Sequence, residues 1–264
     1  MKVIILGLIF AIIIVLCLIS LKKYKETFND IKNLNGINSF DKYFYINLDH
    51  RTDRKKQILQ QLNTIGINSN KIERISAIRE KYNGHLGVAQ SHIKCLKKAK
   101  AENLNSIVIF EDDFVFTENK DTINTNINYF LKNFKKWDVV MFTTINTNKK
   151  TLNNPFIKKI VSATSPTAYA IHKNFYDTLL NDINKSVDKM KIEMIEFNKN
   201  NNGVLKKKHE TSYAFDQHWF PLQKRSNWYI FEPYFGKDSF FGGSSIMGGI
   251  EAFKNNISFH KINI

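Results

Sequence analysis

Between Tyr43 and Phe142 the chain alternates short apolar runs with segments of helical spacing, and this alternation restricts its possible architectures more than any other feature. Tyr43 to Leu48 is β-branched and aromatic and ends in a charged turn, as a first strand does. Asp53 to Ile65 places Ile58, Leu59, Leu62 and Ile65 at helical spacing and is stopped by Gly66. Lys71 to Ala77 reads as a second strand. Gly87 to Lys100 reads as a second helix, with Val88, Ile93, Cys95, Leu96 and Ala99 on its more apolar side. Ser106 to Phe110 is a third strand, Ile123 to Phe134 a third helix, and Asp138 to Phe142 a further buried strand. Strands separated by helices must be joined by crossovers. The expected fold class is therefore α/β, with a mostly parallel central sheet covered by helices, the layout of nucleotide-binding domains.

Beyond this region, Thr167 to Ile171 is expected as a strand and Asn174 to Ile183 as a helix. Asn184 to Glu210 is Lys- and Asn-rich and reads as a loop with some helix. Phe240 to Ile250 holds Gly242-Gly243 and Gly248-Gly249, which suit a loop over a site better than a strand interior.

At the amino terminus Val3 to Leu21 carries no charge. As a helix rising 1.5 Å per residue, this run comes close to the roughly 30 Å hydrocarbon layer, so a single-pass membrane anchor at residues 3–21 is expected. A secretory signal is the alternative, but the exit Ser20-Leu21-Lys22-Lys23 lacks a small-residue cleavage site. Lys22, Lys23 and Lys25 after the run favour a cytosolic domain, whereas a secretory-pathway enzyme would have the opposite orientation, and the flanks leave this open. The expected organisation is an anchor at 1–21, a stalk at 22–40 and one domain at 41–264.

Two cysteines, Cys17 and Cys95, lie in different predicted elements, so no internal disulfide is expected. The net charge of +15 comes from lysines spread along the whole chain without interleaved aromatics, and no nucleic-acid partner is expected.

Glu111-Asp112-Asp113 stands at the tip of the third strand. Adjacent carboxylates repel one another and resist desolvation, so a cluster at a buried strand end calls for a neutralising cation. A hard, oxygen-preferring ion such as Mn2+ or Mg2+ suits it and could hold a diphosphate at the carboxyl end of the sheet.

Two upstream segments join this cluster. Tyr45-Ile46-Asn47-Leu48-Asp49-His50-Arg51-Thr52-Asp53-Arg54 is a strand followed by a basic loop and helix start. Gly84-His85-Leu86-Gly87-Val88-Ala89-Gln90-Ser91-His92 is a Gly-marked turn entering a helix. In this order, with Ile109 to Asp113, they resemble glycosyltransferase family 25, the lipooligosaccharide and procollagen galactosyltransferase-like enzymes. The resemblance is densest from Lys42 to Phe142 and continues more loosely through Ala168-Tyr169-Ala170-Ile171 and Phe215-Asp216-Gln217.

The resemblance implies a GT-A-like nucleotide-sugar-binding fold, a UDP-sugar donor and inversion at the anomeric carbon. It also implies transfer of a hexose, galactose or glucose favoured, to a glycan or hydroxylated protein. The residue chemistry agrees. Asp113 is the first choice as metal ligand with Glu111 as its partner, and which of Glu111 and Asp112 meets the donor ribose or a metal-bound water is left open. Asn47 and Leu48 at the first strand's end, with Arg51 and Arg54 beyond, would hold the nucleotide, since Asn pairs a uracil edge and Arg forks onto phosphate. A helix-start ion pair with Asp49 or Asp53 is the alternative for both arginines. Ser91 and His92 would line the same pocket. Asp216, an acid among aromatics, is the candidate base on the acceptor hydroxyl, with His218 second and an N-cap role for Asp216 as the alternative. A catalytically inactive protein of the same fold that binds glycans or a membrane surface is the rival reading.

Overall fold

The computed structural model describes residues 12–22, 35–145, 147–200 and 213–239. Helix α1 covers residues 12–22. The strands are β1 (Lys42–Asn47), β2 (Ile72–Ser76), β3 (Ser106–Glu111), β4 (Phe114–Phe116), β5 (Val139–Met141), β6 (Thr147–Thr151), β7 (Ile157–Ala163), β8 (Ala168–His172), β9 (Trp228–Phe231) and β10 (Gly236–Asp238). The remaining helices are α2 (Thr52–Thr64), α3 (Gly84–Ala101), α4 (Lys120–Asn133), α5 (Tyr176–Asn200), α6 (Phe215–His218) and α7 (Phe220–Arg225).

Alternation along the strands decides the layering. In β1, Phe44 and Ile46 face one core while Tyr43 and Tyr45 face the other; in β3, Ile107 and Ile109 oppose Val108 and Phe110 in the same way. One core is closed by α3 and α5 through Leu86, Leu96, Leu179 and Ile183. The second is closed by α2 and α4 through Ile58, Leu62, Ile123, Ile127 and Phe130. At about 1.5–3 kcal/mol for each large apolar side chain removed from water, a sheet buried on both faces supplies most of the driving force. Gly66, at φ +83, takes the left-handed turn after α2 that a side chain would strain, so the expected helix stop is present.

The main sheet has eight strands in the order β2-β1-β3-β8-β5-β9-β7-β6. The expected α/β fold is present, and six of the eight strands run in one direction. The pairing is mixed rather than simply parallel, because β8 enters antiparallel between β3 and β5, and β7 antiparallel beside β9. After β1 the chain moves to one flank for β2 and to the other for β3, and a crevice opens beyond the carboxyl ends of β1 and β3 at this switch point.

Several expectations are corrected. No helix among the described residues is long and apolar enough to cross a membrane, which overturns the single-pass anchor at residues 3–21 and the membrane localisation drawn from it. Within that run only residues 12–21 are described; the helix at 12–22 spans about 16 Å at 1.5 Å per residue, roughly half the hydrocarbon thickness. Residues 3–11 lie outside the described residues. Part of the expected stalk belongs to the domain: Ile37 and Phe40 are fully buried, and Gly36 N donates to Asn128 Oδ1 at 2.8 Å. The loop expected from Asn184 is helix up to Asn200, because Ile183, Val187 and Met190 continue the buried stripe of α5. Residues 201–212 of that stretch and the glycine-rich segment from 240 onward lie outside the described residues.

Candidate functional site

Asn47 ends β1 with its side chain turned inward, where it organises its surroundings. Its amide Nδ2 donates to Asp112 Oδ2 at 2.7 Å and to the Arg51 carbonyl at 3.0 Å, while its Oδ1 accepts from Arg74 Nε at 3.1 Å. Arg74 also pairs with Asp49, whose carboxylate accepts from Ser76 Oγ. The Asn47 amide is thus occupied by protein partners, and it positions Asp112 rather than presenting an open base-pairing edge.

Helix α2 delivers Arg54 to the same point. Its guanidinium donates to Asp112 Oδ1 at 3.0 Å and to Asp113 Oδ2 at 3.1 Å, with the Arg54 and Asp112 side chains only 5% and 10% exposed. Arg51, one turn earlier, forms a forked pair with Asp53 at 2.9 and 3.0 Å, the helix-start ion pair that its sequence allowed. Both arginines therefore lie near the acidic cluster with carboxylate partners already in place.

The second segment enters through α3. Asn83 caps the helix by accepting from Leu86 N at 3.0 Å. Ser91 Oγ donates to Gly87 O at 2.7 Å and accepts from Ile78 N at 2.9 Å, tying α3 to the loop that leaves β2. Gly87 allows this approach, since a Cβ there would stand 2.4 Å from the Ile78 carbonyl. His92 is wholly buried. Its Nδ1 lies 2.7 Å from the Tyr169 hydroxyl and its Nε2 3.4 Å from Glu111 Oε1, with the Phe215 ring 4.8 Å away. Burial pushes its pKa down to about 3, against the raising charge of Asp216, so the imidazole is neutral.

Carboxylates from distant segments converge on the strand tip. Burial pushes Glu111 up to about 8, with Asp238, Asp112 and Asp216 adding repulsion and Arg54 opposing it. Asp113 is pushed up to about 7, first by burial and then by the charge of Glu111, again with Arg54 opposing. Asp238 is held above the usual carboxylate range by burial, countered by Arg54 and by Thr167 Oγ1, which donates to it at 2.6 Å. No sequence pattern pointed to Asp238, and Tyr169 entered only within the loosely matching strand Ala168 to Ile171, without a role at the site. Asp238 arrives through β10, which pairs antiparallel with β4 and sets it opposite Phe114. A three-residue Gly-Lys-Asp strand carries no apolar pattern that could have signalled this.

Asp216 lies in the first turn of α6, where Ala214 is the N-cap, so the N-cap role for Asp216 is corrected. Its Oδ2 accepts from Ser165 N at 2.9 Å. His218 turns away to Asp182, 3.1 Å from its Nδ1, and to Lys189.

One cleft joins the three sequence segments. Asn47, Leu48 and Arg54 come from the first, Gly84, Val88 and Ser91 from the second, and Glu111, Asp112 and Asp113 from the third; Ile78, Arg79 and Glu80 of the β2–α3 loop complete the wall. Arg51, His92 and Asp216 do not line it, and the latter two sit behind Glu111, coupled to it electrostatically or by contact. Among the described residues no group of three or more His, Cys, Asp or Glu side chains is arranged to hold a metal ion. Asp113 Oδ1, however, is buried with no hydrogen-bond partner among them, a donor atom that a hard cation would satisfy.

Residues 69–196, just under half the chain, match the family model described as "Glycosyltransferase family 25 (LPS biosynthesis protein)". The match covers the second and third segments, and the first lies before it. No curated protein matches the chain. Among solved structures, a mannose-1-phosphate geranyltransferase from Thermus thermophilus has a TM-score of 0.41 at 6% identity, covering 72% of each chain. A197 from STIV scores 0.38 at 12% identity, covering 72% of this chain and 80% of that one. A putative glucose-1-phosphate thymidylyltransferase from Bacillus anthracis, in complex with a sucrose, scores 0.36 at 12% identity, covering 84% and 77%. Likeness at this level carries no functional information.

Proposed function

From the premise that residues 69–196 are a glycosyltransferase family 25 segment, we propose that this chain is a metal-dependent inverting glycosyltransferase. In this reading it has a GT-A-like domain and moves a hexose, galactose or glucose favoured, from a UDP-sugar to a glycan or hydroxylated protein. The observation that supports the reading is the cleft itself: three segments that are not contiguous in the chain line one cavity at the carboxyl ends of β1 and β3.

Expelling a nucleoside diphosphate builds charge on the leaving phosphate, and a divalent cation would neutralise that charge without a proton. Asp113, with its orphaned Oδ1, and Glu111 would hold Mn2+ or Mg2+. Such ions commonly take one or two carboxylates plus substrate phosphates and waters, so a cage of three protein ligands is not required. Asn47 and Arg54 keep Asp112 and Asp113 in place before any ligand arrives. Leu48 and Ser91 shape the wall, and His92 backs Glu111. Asp216, which does not line the donor cleft, is the proposed base, so the acceptor hydroxyl would have to meet it beside Glu111 as the sugar is attacked.

The test uses the purified chain with UDP-hexoses and Mn2+. Transfer or hydrolysis that disappears in Asp113→Asn is expected, and full activity in EDTA would remove the metal from the reading. Asp216→Asn is expected to bind UDP normally while losing transfer. Equal loss of both would make Asp216 structural. Glycan binding without any UDP-dependent thermal shift would instead favour an inactive glycan-binding protein.

A further inference from the structure

A nucleoside diphosphate brings additional negative charge to a cleft whose wall already holds Glu111, Asp112 and Asp113. Of the two arginines that the sequence offered for this anion, Arg54 is engaged by Asp112 and Asp113 and Arg51 by Asp53. Redirecting Arg54 to phosphate would leave two buried carboxylates without their counter-charge, which is costly in a low-dielectric setting.

Arg79 stands in a different condition. It belongs to the β2–α3 loop, lines the cleft and is exposed. No ion pair or hydrogen bond of its side chain occurs among the described residues. Its backbone is nevertheless anchored, because the adjacent Ile78 donates its N–H to Ser91 Oγ at 2.9 Å and packs its carbonyl against Gly87. A fixed base carrying a guanidinium that has no partner among the described residues, at a cleft wall, is suited to capturing an anionic ligand, since arginine forks onto phosphate oxygens.

We infer that Arg79 is the donor-phosphate contact of this cleft, taking the part that sequence reasoning gave to Arg51 and Arg54. This rests on the functional reading above and specifies the ligand class at the site as a nucleoside diphosphate. Arg79 binds and orients the donor, and the acidic cluster keeps its own counter-ion.

Calorimetric titration of the full chain with UDP, UMP and uridine in the presence of Mn2+ tests this. Wild type is expected to bind UDP, and Arg79→Gln to bind it roughly tenfold more weakly, a loss typical of one charge-assisted contact at a partly solvated site. Uridine affinity is expected to stay unchanged, UMP to fall between, and Arg79→Lys to recover part of the loss. An unshifted melting temperature in both variants shows that the fold is intact. UDP affinity equal to wild type in Arg79→Gln overturns the inference and leaves the functional reading standing. Equal weakening of uridine and UDP overturns the phosphate assignment, since the contact would then be to the nucleoside. No UDP binding by wild type defeats the functional reading, and the Arg79 assignment with it.

Discussion

The Arg54 guanidinium donates to Asp112 Oδ1 across 3.0 Å in a setting where the two side chains are 5% and 10% exposed. A helix that packs against the sheet thus supplies the counter-charge for the tip of the central strand. The acidic cluster is partly neutralised by the fold before any ligand arrives.

Removing that counter-charge should be severe. Arg54→Met is expected to cost about 3–5 kcal/mol, the range for breaking a buried ion pair by deleting one partner. Urea unfolding measures this, and Arg54→Met combined with Asp112→Leu should recover part of the loss. A cost below about 1 kcal/mol would mean that water reaches the cluster and screens it.

The acidic cluster also sets a pH dependence for the metal-free chain. Glu111 and Asp113 are pushed up to about 8 and about 7, so the folded state holds protons that the unfolded state has released. Where the folded state binds more protons, stability falls as pH rises. His92, buried neutral with a pKa of about 3, acts in the opposite sense, chiefly at and below the ordinary histidine value of about 6.5. From pH 6.5 to 8 the opposing effect of the histidine fades while that of the two carboxylates outweighs it, and stability should decline. Thermal unfolding in EDTA across this window should show a falling melting temperature, and Glu111→Gln should flatten it. A flat or rising wild-type profile would contradict the burial of these acids.

Tyr169 holds the far side of His92, its hydroxyl 2.7 Å from Nδ1. Tyr169→Phe leaves a ring nitrogen buried without that partner, at an expected cost of about 1–3 kcal/mol. Denaturant unfolding reports the loss. Because Tyr169 does not line the cleft, UDP affinity should change less than twofold, and a larger change would place Tyr169 closer to the ligand than the geometry does.

Gly87→Ala tests the joint between α3 and the β2–α3 loop. The added Cβ would stand 2.4 Å from the Ile78 carbonyl, which is backbone and can move only with its loop. Destabilisation of about 1–3 kcal/mol is expected, as for overpacking in a well-filled interior. UDP binding should weaken at the same time, because Ile78 and Arg79 move together. Normal affinity in the destabilised variant would show that the loop adjusts without disturbing the cleft wall.

Much of this arrangement was legible in the chain. The strands β1 and β3 and the helices α2, α3 and α4 follow from local patterns, and the gathering of Asn47, Ser91 and Glu111 to Asp113 was implied by the family resemblance of their three segments. A period of two or of about 3.6 states which face of an element must leave water, and crossover connections then send successive strand ends to the same edge of the sheet. The α5 helix beyond Ile183 was obscured because its exposed face is Lys- and Asn-rich, although Val187 and Met190 kept its buried stripe. The β6–β7 hairpin was hidden by lysines on an edge strand, where burial imposes little pattern.

Sequence alone determined that three acids would stand at a buried strand end, with two polar segments beside them at the carboxyl edge of an α/β sheet. Tertiary structure decided their partners. It gave Arg54 to Asp112 and Asp113 and His92 to Tyr169, and it brought in Asp238 through a three-residue strand. Periodicity reports how much of each side chain leaves water. It says nothing about which charge, on an element far away in the chain, will be waiting there, because that depends on strand order and register and on the energy of every competing pair.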